Sequence, residues 1–300
     1  MALIGVQTNG LTQLYGVDGA YRVMKAAGFG AADVSLNALL PYRDIVDKKK
    51  SDAFEESLAA FREYAEAAEK HGIVNAQAHA PYPSYVAGHG EYNDYLIRVM
   101  EISLAACRTI ACPRLVIHPF FNGYESAMPA REEWDLNLAQ YTRLIPAAKK
   151  YGVMILLENM FTRHNGKIYE AICSDFDLAC RYIDVLNDRA GERLFGFCLD
   201  TGHALLLGKD IRKSMATLGH RIAAFHIHDN NGIDDQHLAP YMGIGDWNGF
   251  VAGLKEIGYH GHLSFETYRT ITKAFDPALT EKVLALIAET GKLFAERAGV

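Results

Sequence analysis

Histidine, aspartate and glutamate recur at one kind of place in this 300-residue chain, at or just after the end of short apolar runs. His79 follows the run in AQAHAPY, His118 closes LVIH, and Glu158 closes ILLE. Asp200 ends CLD with His203 three residues on, HIHD occupies 226–229, and Glu266 ends LSFE. Asp235 and His237 follow in DDQH. A charged residue inside an apolar strand is expensive to bury unless it is paired or bound to a metal. Glu158, Asp200 and Glu266 each end such a run, and three carboxylates brought together repel unless a cation sits among them. A lone histidine near a strand end is ordinarily a hydrogen-bonded structural group, and Asp200 or His203 alone reads as a helix cap. His71, His89, His164, His220, His260 and His262 fall under that ordinary reading, as surface or helix-end groups. Convergence sets the others apart, because six of eight runs carry His, Asp or Glu at one level. That pattern predicts a divalent-metal site.

The elements that must position these residues alternate along the whole chain. Apolar runs at Leu3–Gln7, Ala31–Ser35, Ile73–Ala78, Arg114–His118, Val153–Glu158, Phe195–Asp200, Ile222–His228 and His262–Glu266 read as strands. Most are continuous stretches of Val, Ile, Leu, Phe or Ala, as strands covered on both faces require. Amphipathic stretches lie between them, such as AFEESLAAFREYAEAAEKHG, where Phe54, Leu58, Phe61 and Ala65 recur at helical spacing. That stretch ends in His71-Gly72, and glycine stops recur at Gly28, Gly152 and Gly258. A doubly wound open sheet also alternates in this way, but it usually has fewer strands and a glycine-rich phosphate loop. Here the first strand leads into TNGL, and neither GxGxxG nor a Walker A pattern occurs. The fold class expected is α/β: one (β/α)8 TIM barrel spanning 1–300 as a single domain, with its chemistry at the C-terminal ends of the strands.

Composition narrows the function classes. Half the chain is apolar and 22% is charged, the balance of a globular protein with a large core. Thirty Lys and Arg against 36 Asp and Glu leave a net charge of −6, which disfavours nucleic-acid and anionic-membrane partners. No apolar run reaches the roughly 18 residues a membrane span needs. MALIGVQTNG has no basic lead or long apolar core, so no signal peptide is expected. Cys107, Cys112, Cys173, Cys180 and Cys198 form no CxxC pair and read as buried thiols in a reducing cytoplasm.

On these residues the chain resembles the xylose-isomerase-like barrel superfamily, which holds sugar phosphate isomerases and epimerases and the apurinic endonucleases of the endonuclease IV class. The resemblance runs from IGVQT to LSFET and is most specific at LEN (157–159), CLDTGHA (198–204), HIHD (226–229), Asp235-x-His237 and GIGDW (243–247). In the ketose 3-epimerase branch one metal is held by Glu, Asp, His and Glu, which implies Glu158, Asp200, His226 and Glu266 here. The H-x-x-D spacing ending at Asp229 selects His226, leaving His228 to order the site from behind. The endonuclease branch binds three zinc ions, and its positions correspond to His79, His118, Glu158, Asp200, His203, His226, Asp235, His237 and Glu266. The substrate-clamping Arg of the epimerases falls at His237, a departure from their pattern.

The resemblance implies aldose–ketose isomerisation or epimerisation of a small sugar, sugar phosphate or polyol, through a metal-stabilised enediolate. Glu158 and Glu266 would exchange the proton on opposite faces of the carbon, with His203 binding a substrate oxygen or relaying a proton. Four ligands with one imidazole suit Mn²⁺, Mg²⁺ or Co²⁺, while adding His79, His203 or His237 moves the site toward Zn²⁺. His79, His118, Asp235 and His237 would hold a second ion or the substrate. A keto-polyol dehydratase would use the same enediolate, and a zinc phosphodiesterase acting on abasic DNA is the alternative from a different class. The loop NNGIDDQHLAPYMGIG lacks Lys and Arg for phosphate contacts, which counts against DNA. The segment Phe161–Cys173 reads as a loop, and its Arg163, with His164 and Lys167, would grip a substrate phosphate or carboxylate. Trp247 with Tyr82, Tyr85, Phe120, Phe121 and Tyr124 would form a sugar-stacking wall. Homo-oligomers would suit the family.

Overall fold

The computed structural model describes residues 2–51, 54–122 and 128–300. Tyr124 of the expected aromatic wall lies outside them. Eight parallel strands form the barrel: β1 (Ile4–Gln7), β2 (Ala31–Ser35), β3 (Val74–His79), β4 (Arg114–Val116), β5 (Met154–Glu158), β8 (Phe195–Asp200), β9 (Ile222–His226) and β10 (Leu263–Phe265). A separate antiparallel hairpin, β6 (Phe161–His164) and β7 (Lys167–Glu170), follows β5. The barrel order is β10-β1-β2-β3-β4-β5-β8-β9. It closes just past β9, where Ile227 N–H donates to Ser264 O at 2.8 Å and Glu266 N–H donates to Ile227 O at 3.1 Å. The (β/α)8 barrel expected from the alternation is the fold observed.

The helices are α1 (Leu11–Ala27), α2 (Tyr42–Val46), α3 (Phe54–Ala60), α4 (Arg62–His71), α5 (Gly90–Thr109), α6 (Ala130–Tyr151), α7 (Phe176–Ala190), α8 (Thr201–Leu206), α9 (Ile211–Leu218), α10 (Trp247–Glu256), α11 (Tyr268–Thr272) and α12 (Thr280–Ala298). Gly28, Gly72 and Gly152 end α1, α4 and α6 in the left-handed conformation, the role read from their positions. Two local expectations change. The stretch read as one helix over Phe54–His71 is two, divided at Phe61, whose buried ring packs on Tyr64 at 5.3 Å. The segment read as a loop over 161–173 carries the β6–β7 hairpin, turned at Asn165 (φ 49°) and Gly166 (φ 75°). Asn-Gly is the strongest short hairpin signal, and both residues need positive φ in that turn.

Strand alternation explains how the site is built. Side chains two residues apart on a strand share a face. Phe195, Phe197 and Phe225 point outward, against Tyr141 of α6, Phe176 of α7 and Phe250 of α10. Val116, Leu156, Cys198 and Ala224 point inward and pack as one apolar layer. Two residues further on, the same four strand paths deliver His118, Glu158, Asp200 and His226 to the mouth. Parallel register levels them: Asp200 lies beside His226, and Glu158 beside Cys198.

Helix α6 fixes the turn that follows His118. Tyr141 Oη donates to Ile117 O at 2.7 Å, and the fully buried Asn137 side chain both accepts from Phe120 N–H (2.8 Å) and donates to Phe120 O (2.7 Å). Among the described residues no helix is long and apolar enough to cross a membrane. Replacing Asn137 by Leu strands the buried Phe120 N–H and C=O. The expected outcome is a loss of about 1–3 kcal/mol in urea unfolding at nearly unchanged m-value.

Candidate metal centre

Glu158, Asp200, His226 and Glu266 each bring one donor atom to within 4.8 Å of the others. His226 Nδ1 sits 3.0 Å from Glu158 Oε1, 3.4 Å from Glu266 Oε2 and 4.0 Å from Asp200 Oδ2. The first three side chains are at most 1% exposed, whereas Glu266 is 13% exposed and opens to the mouth. Gln7 Nε2 donates to Glu266 Oε1 at 2.8 Å and steadies that carboxylate. Among the described residues Glu158 Oε2 is buried and completes no hydrogen bond, with His118 Nε2 3.1 Å away. An orphaned carboxylate oxygen amid three carboxylates and one imidazole is what a divalent cation would satisfy, so the residues fit such an ion.

Three further histidines are oriented by main-chain carbonyls. His79 Nδ1 lies 2.7 Å from Ala80 O, His203 Nδ1 2.8 Å from Asn159 O, and His237 Nδ1 3.0 Å from Glu266 O. A carbonyl only accepts, so Nδ1 donates in all three and Nε2 faces inward. His79 Nε2 and His118 Nε2 approach each other at 2.8 Å, at 3.7 and 3.1 Å from Glu158 Oε2. His203 Nε2 and His237 Nε2 face Asp235 Oδ2 at 3.8 and 3.0 Å. The four residues expected to hold a second ion or the substrate therefore stand in two groups flanking the central four. His228 stacks on His237 at 4.2 Å and meets Asp200 Oδ2 through Nε2 at 3.0 Å. A Cβ at Gly202 would overlap the His228 ring, so only glycine fits where α8 starts.

Comparison with known proteins fits this arrangement. Residues 21–290 match the family described as the xylose isomerase-like TIM barrel. The chain belongs to this family. Inosose isomerase of Bacillus subtilis is 25% identical over 188 residues, 61% of this chain and 62% of that protein. The match spans about half the length of the first curated relatives, two uncharacterized proteins of Methanocaldococcus jannaschii and Sinorhizobium fredii. In solved structures the fold recurs in a D-tagatose 3-epimerase-like protein (TM-score 0.73, 18% identity, 99% of this chain and 98% of that one). It recurs again in the IOLI protein with a binding zinc atom (TM-score 0.68, 19% identity, 99% and 98%).

Other expected site residues of this xylose isomerase-like barrel fall in different places. Trp247 is moved from the substrate wall to the packing. It is 2% exposed, stacks on Phe294 of α12 at 5.7 Å, and donates through Nε1 to Asp229 Oδ2 at 2.9 Å. Phe120 is buried, while Tyr85 and Phe121 line a neighbouring groove. Tyr82 lines the mouth, its ring 4.6 Å from His118. Arg163 lines the outer rim, where it donates to Ile233 O at 2.6 Å and pairs with Asp234. His164 and Lys167 are exposed on the hairpin. Sequence reading gave no role to Gln7 or Asp33, and met Asn159 and Asp229 only as members of the LEN and HIHD motifs. Asp229 is fully buried and accepts from Gly243 N–H and Gly245 N–H at 3.0 Å, bracing the loop that carries Asp235 and His237.

Electrostatics follow from the pairing. Burial raises the Glu158 carboxyl, but His226 and His118 outweigh it and hold it well below the usual carboxylate range. Asp235 is held low in the same way, by His203 and His237 against burial. Burial lowers His237, yet Glu266 and Asp235 carry it up to about 10. His203 is raised similarly by Asp200 and Asp235. A folded value above the unfolded one stabilises fully below about pH 6.5, and that stability is lost as pH rises through about 10. Chelator-treated protein is therefore expected to lose Tm steadily from about pH 7 to about pH 10. A Tm unchanged over that range by scanning fluorimetry would contradict this. Gly202→Ala is expected to displace His228, weakening Zn²⁺ binding in a chelator competition.

Proposed function

We propose that the chain is a divalent-metal-dependent isomerase or epimerase acting beside the carbonyl of a sugar, sugar phosphate or related polyol ketone. The observation that carries this reading is the pairing of Glu158 and Glu266, which reach one ring nitrogen, His226 Nδ1, from strand paths three places apart in the barrel. Glu158, Asp200, His226 and Glu266 would hold the ion. When bound, it supplies Lewis-acid stabilisation of the charge that grows on a carbonyl oxygen as the neighbouring carbon loses its proton.

The protein's own groups supply the rest. Glu266, opening to the mouth with Oε1 held by Gln7, would work from one side of the substrate. Glu158, whose Oε2 lies 3.1 Å from His118 Nε2, would work from the other. One removes the proton and the other returns it, and delivery to the opposite face inverts the carbon. His203 keeps its proton through Asp200 and Asp235, so its Nε2–H can donate to a substrate oxygen. The cavity between them, about 210 Å³, is also lined by Gln7, Asn9, Ser35 and Asn37. Uncharged amides and a hydroxyl in such a place suit the many hydroxyls of a polyol. Inosose isomerase among the relatives is consistent with that class.

One observation supports a second reading, a phosphodiesterase on abasic DNA: the flanking groups around His79 and His118, and around His203, Asp235 and His237, could take further zinc ions.

Two measurements test these. On a panel of ketoses, aldoses and inososes, Glu158→Gln and Glu266→Gln are each expected to lower kcat by about 10²–10⁴-fold. Full turnover by both variants would end the isomerase reading. Metal content of chelator-free protein is expected to be one ion per chain; three zinc ions with cleavage of abasic duplex would favour the phosphodiesterase.

A further inference from the structure

Beneath the candidate centre, the barrel interior is uneven. On β4, β5, β8 and β9 the layer under the mouth is apolar, formed by Val116, Leu156, Cys198 and Ala224. On β2, β3 and β10 the residues two positions before Ser35, His79 and Glu266 are Asp33, Gln77 and Ser264, all at most 2% exposed. Gln77 Nε2 donates to Asp33 Oδ2 at 2.9 Å and contacts Phe225 O across the barrel at 3.2 Å. Ser264 Oγ donates to the same Asp33 oxygen at 3.4 Å. A buried carboxylate needs such donors and, beyond them, a cation or a polarised N–H.

The ring that supplies it is His226. Its Nε2 lies 3.2 Å from Asp33 Oδ2, while Nδ1 faces Glu158, Asp200 and Glu266. Among the described residues neither His226 Nε2 nor the other Asp33 oxygen, Oδ1, completes a hydrogen bond. An unprotonated Nε2 would set its lone pair against a carboxylate, so the contact favours a proton on Nε2. Gln77 and Ser264 keep the carboxylate from turning away.

We propose that Asp33 is a positioning residue for the metal centre: it accepts the Nε2–H of His226 and thereby turns the Nδ1 lone pair toward the three carboxylates and the ion they would hold. Carboxylates placed behind ligating histidines fix tautomer and ring orientation, and their loss typically costs 10–100-fold in metal affinity. The assignment rests on the metal-dependent reading for the ion but not on the identity of any sugar.

Asp33→Asn keeps the volume but offers an amide that can donate to Nε2 and drive the proton to Nδ1. Competition with a chromophoric chelator is expected to show Zn²⁺ dissociation weakened about 10–100-fold in this variant. Wild-type affinity in a folded Asp33→Asn would overturn the assignment. The wild-type protein gives a second readout that needs no variant at Asp33. Long-range ¹H–¹⁵N spectra of the Zn²⁺-loaded protein, with the His226 ring assigned by its loss in His226→Gln, are expected to show protonated Nε2 and metal-bound Nδ1. Zn²⁺ on Nε2, or a proton on Nδ1, would overturn it even if Asp33→Asn does not fold. Absence of any sugar turnover would end the isomerase reading and leave both readouts intact, so the two failures are distinguishable.

Discussion

Four carboxylates share one dry volume around a single imidazole, and the rest of the site exists to make that tolerable. Asp33, Glu158 and Asp200 are fully or almost fully buried, Glu266 is nearly so, and all four lie within 4.0 Å of His226. Like charges so placed repel unless cations or hydrogen-bond donors sit among them. The protein meets this with histidines whose Nδ1 atoms are tied to carbonyls and whose Nε2 atoms point inward. Asn159 adds a brace at the seam of β5 and β8. Its amide donates to Asp200 O and accepts from Asp200 N–H, each at 2.9 Å, so the strands carrying Glu158 and Asp200 cannot drift apart. Such pinning makes a donor set that needs little reorganisation to accept an ion.

Precision falls off with distance from the strand ends. The central four residues stand on barrel strands or just beyond them, whereas Asp235 and His237 ride on the loop between β9 and α10. That loop is held by a buried hub instead of a ladder: Asp229 gathers two glycine N–H groups and the Trp247 indole, and its backbone pairs with Leu238. The β6–β7 hairpin leans on the same loop through Arg163, which donates to Ile233 O. Hairpin and loop thus form one wall. The exposed Arg163–Asp234 pair adds little energy on its own. The Asp229 hub, fully buried, is the part whose loss would release the wall.

What could be read in the sequence was whatever local rules state. A charged residue closing an apolar run must be paired or ligated, and that rule found Glu158, Asp200 and Glu266 directly. The family resemblance then singled out His226 over His228, and the structure places His226 among the three carboxylates. Asp33 obeys the same rule inside AADVS but stands two residues short of the strand end, where attention to the mouth passed over it. Trp247 shows the opposite error. A tryptophan after Gly-Asp at a helix start looks available to a ligand, but Phe294, far along the chain on α12, covers it. Nothing within a local window carries that contact. The hairpin was legible in Asn165-Gly166, and its short polar strands hid it.

The charges around the mouth bear on what enters it. A nucleic-acid backbone is held by several cations acting together. Arg163, the nearest guanidinium on the hairpin, is already committed to Ile233 O and Asp234. The facing loop contributes Asp234 and Asp235 and no Lys or Arg. Among the described residues lining the outer rim, Arg269 is the other cation, and one cation beside a committed Arg163 falls short of a phosphate track. Inside, the described lining adds the amides of Gln7, Asn9 and Asn37 and the hydroxyls of Ser35 and Tyr82. A donor set able to hold more than one ion therefore sits under an entrance suited to a small, hydroxyl-rich molecule. Donor count alone separates the two proposed readings poorly, because both draw on the same strand ends. The loops carry the difference, and their charges support the sugar reading proposed above.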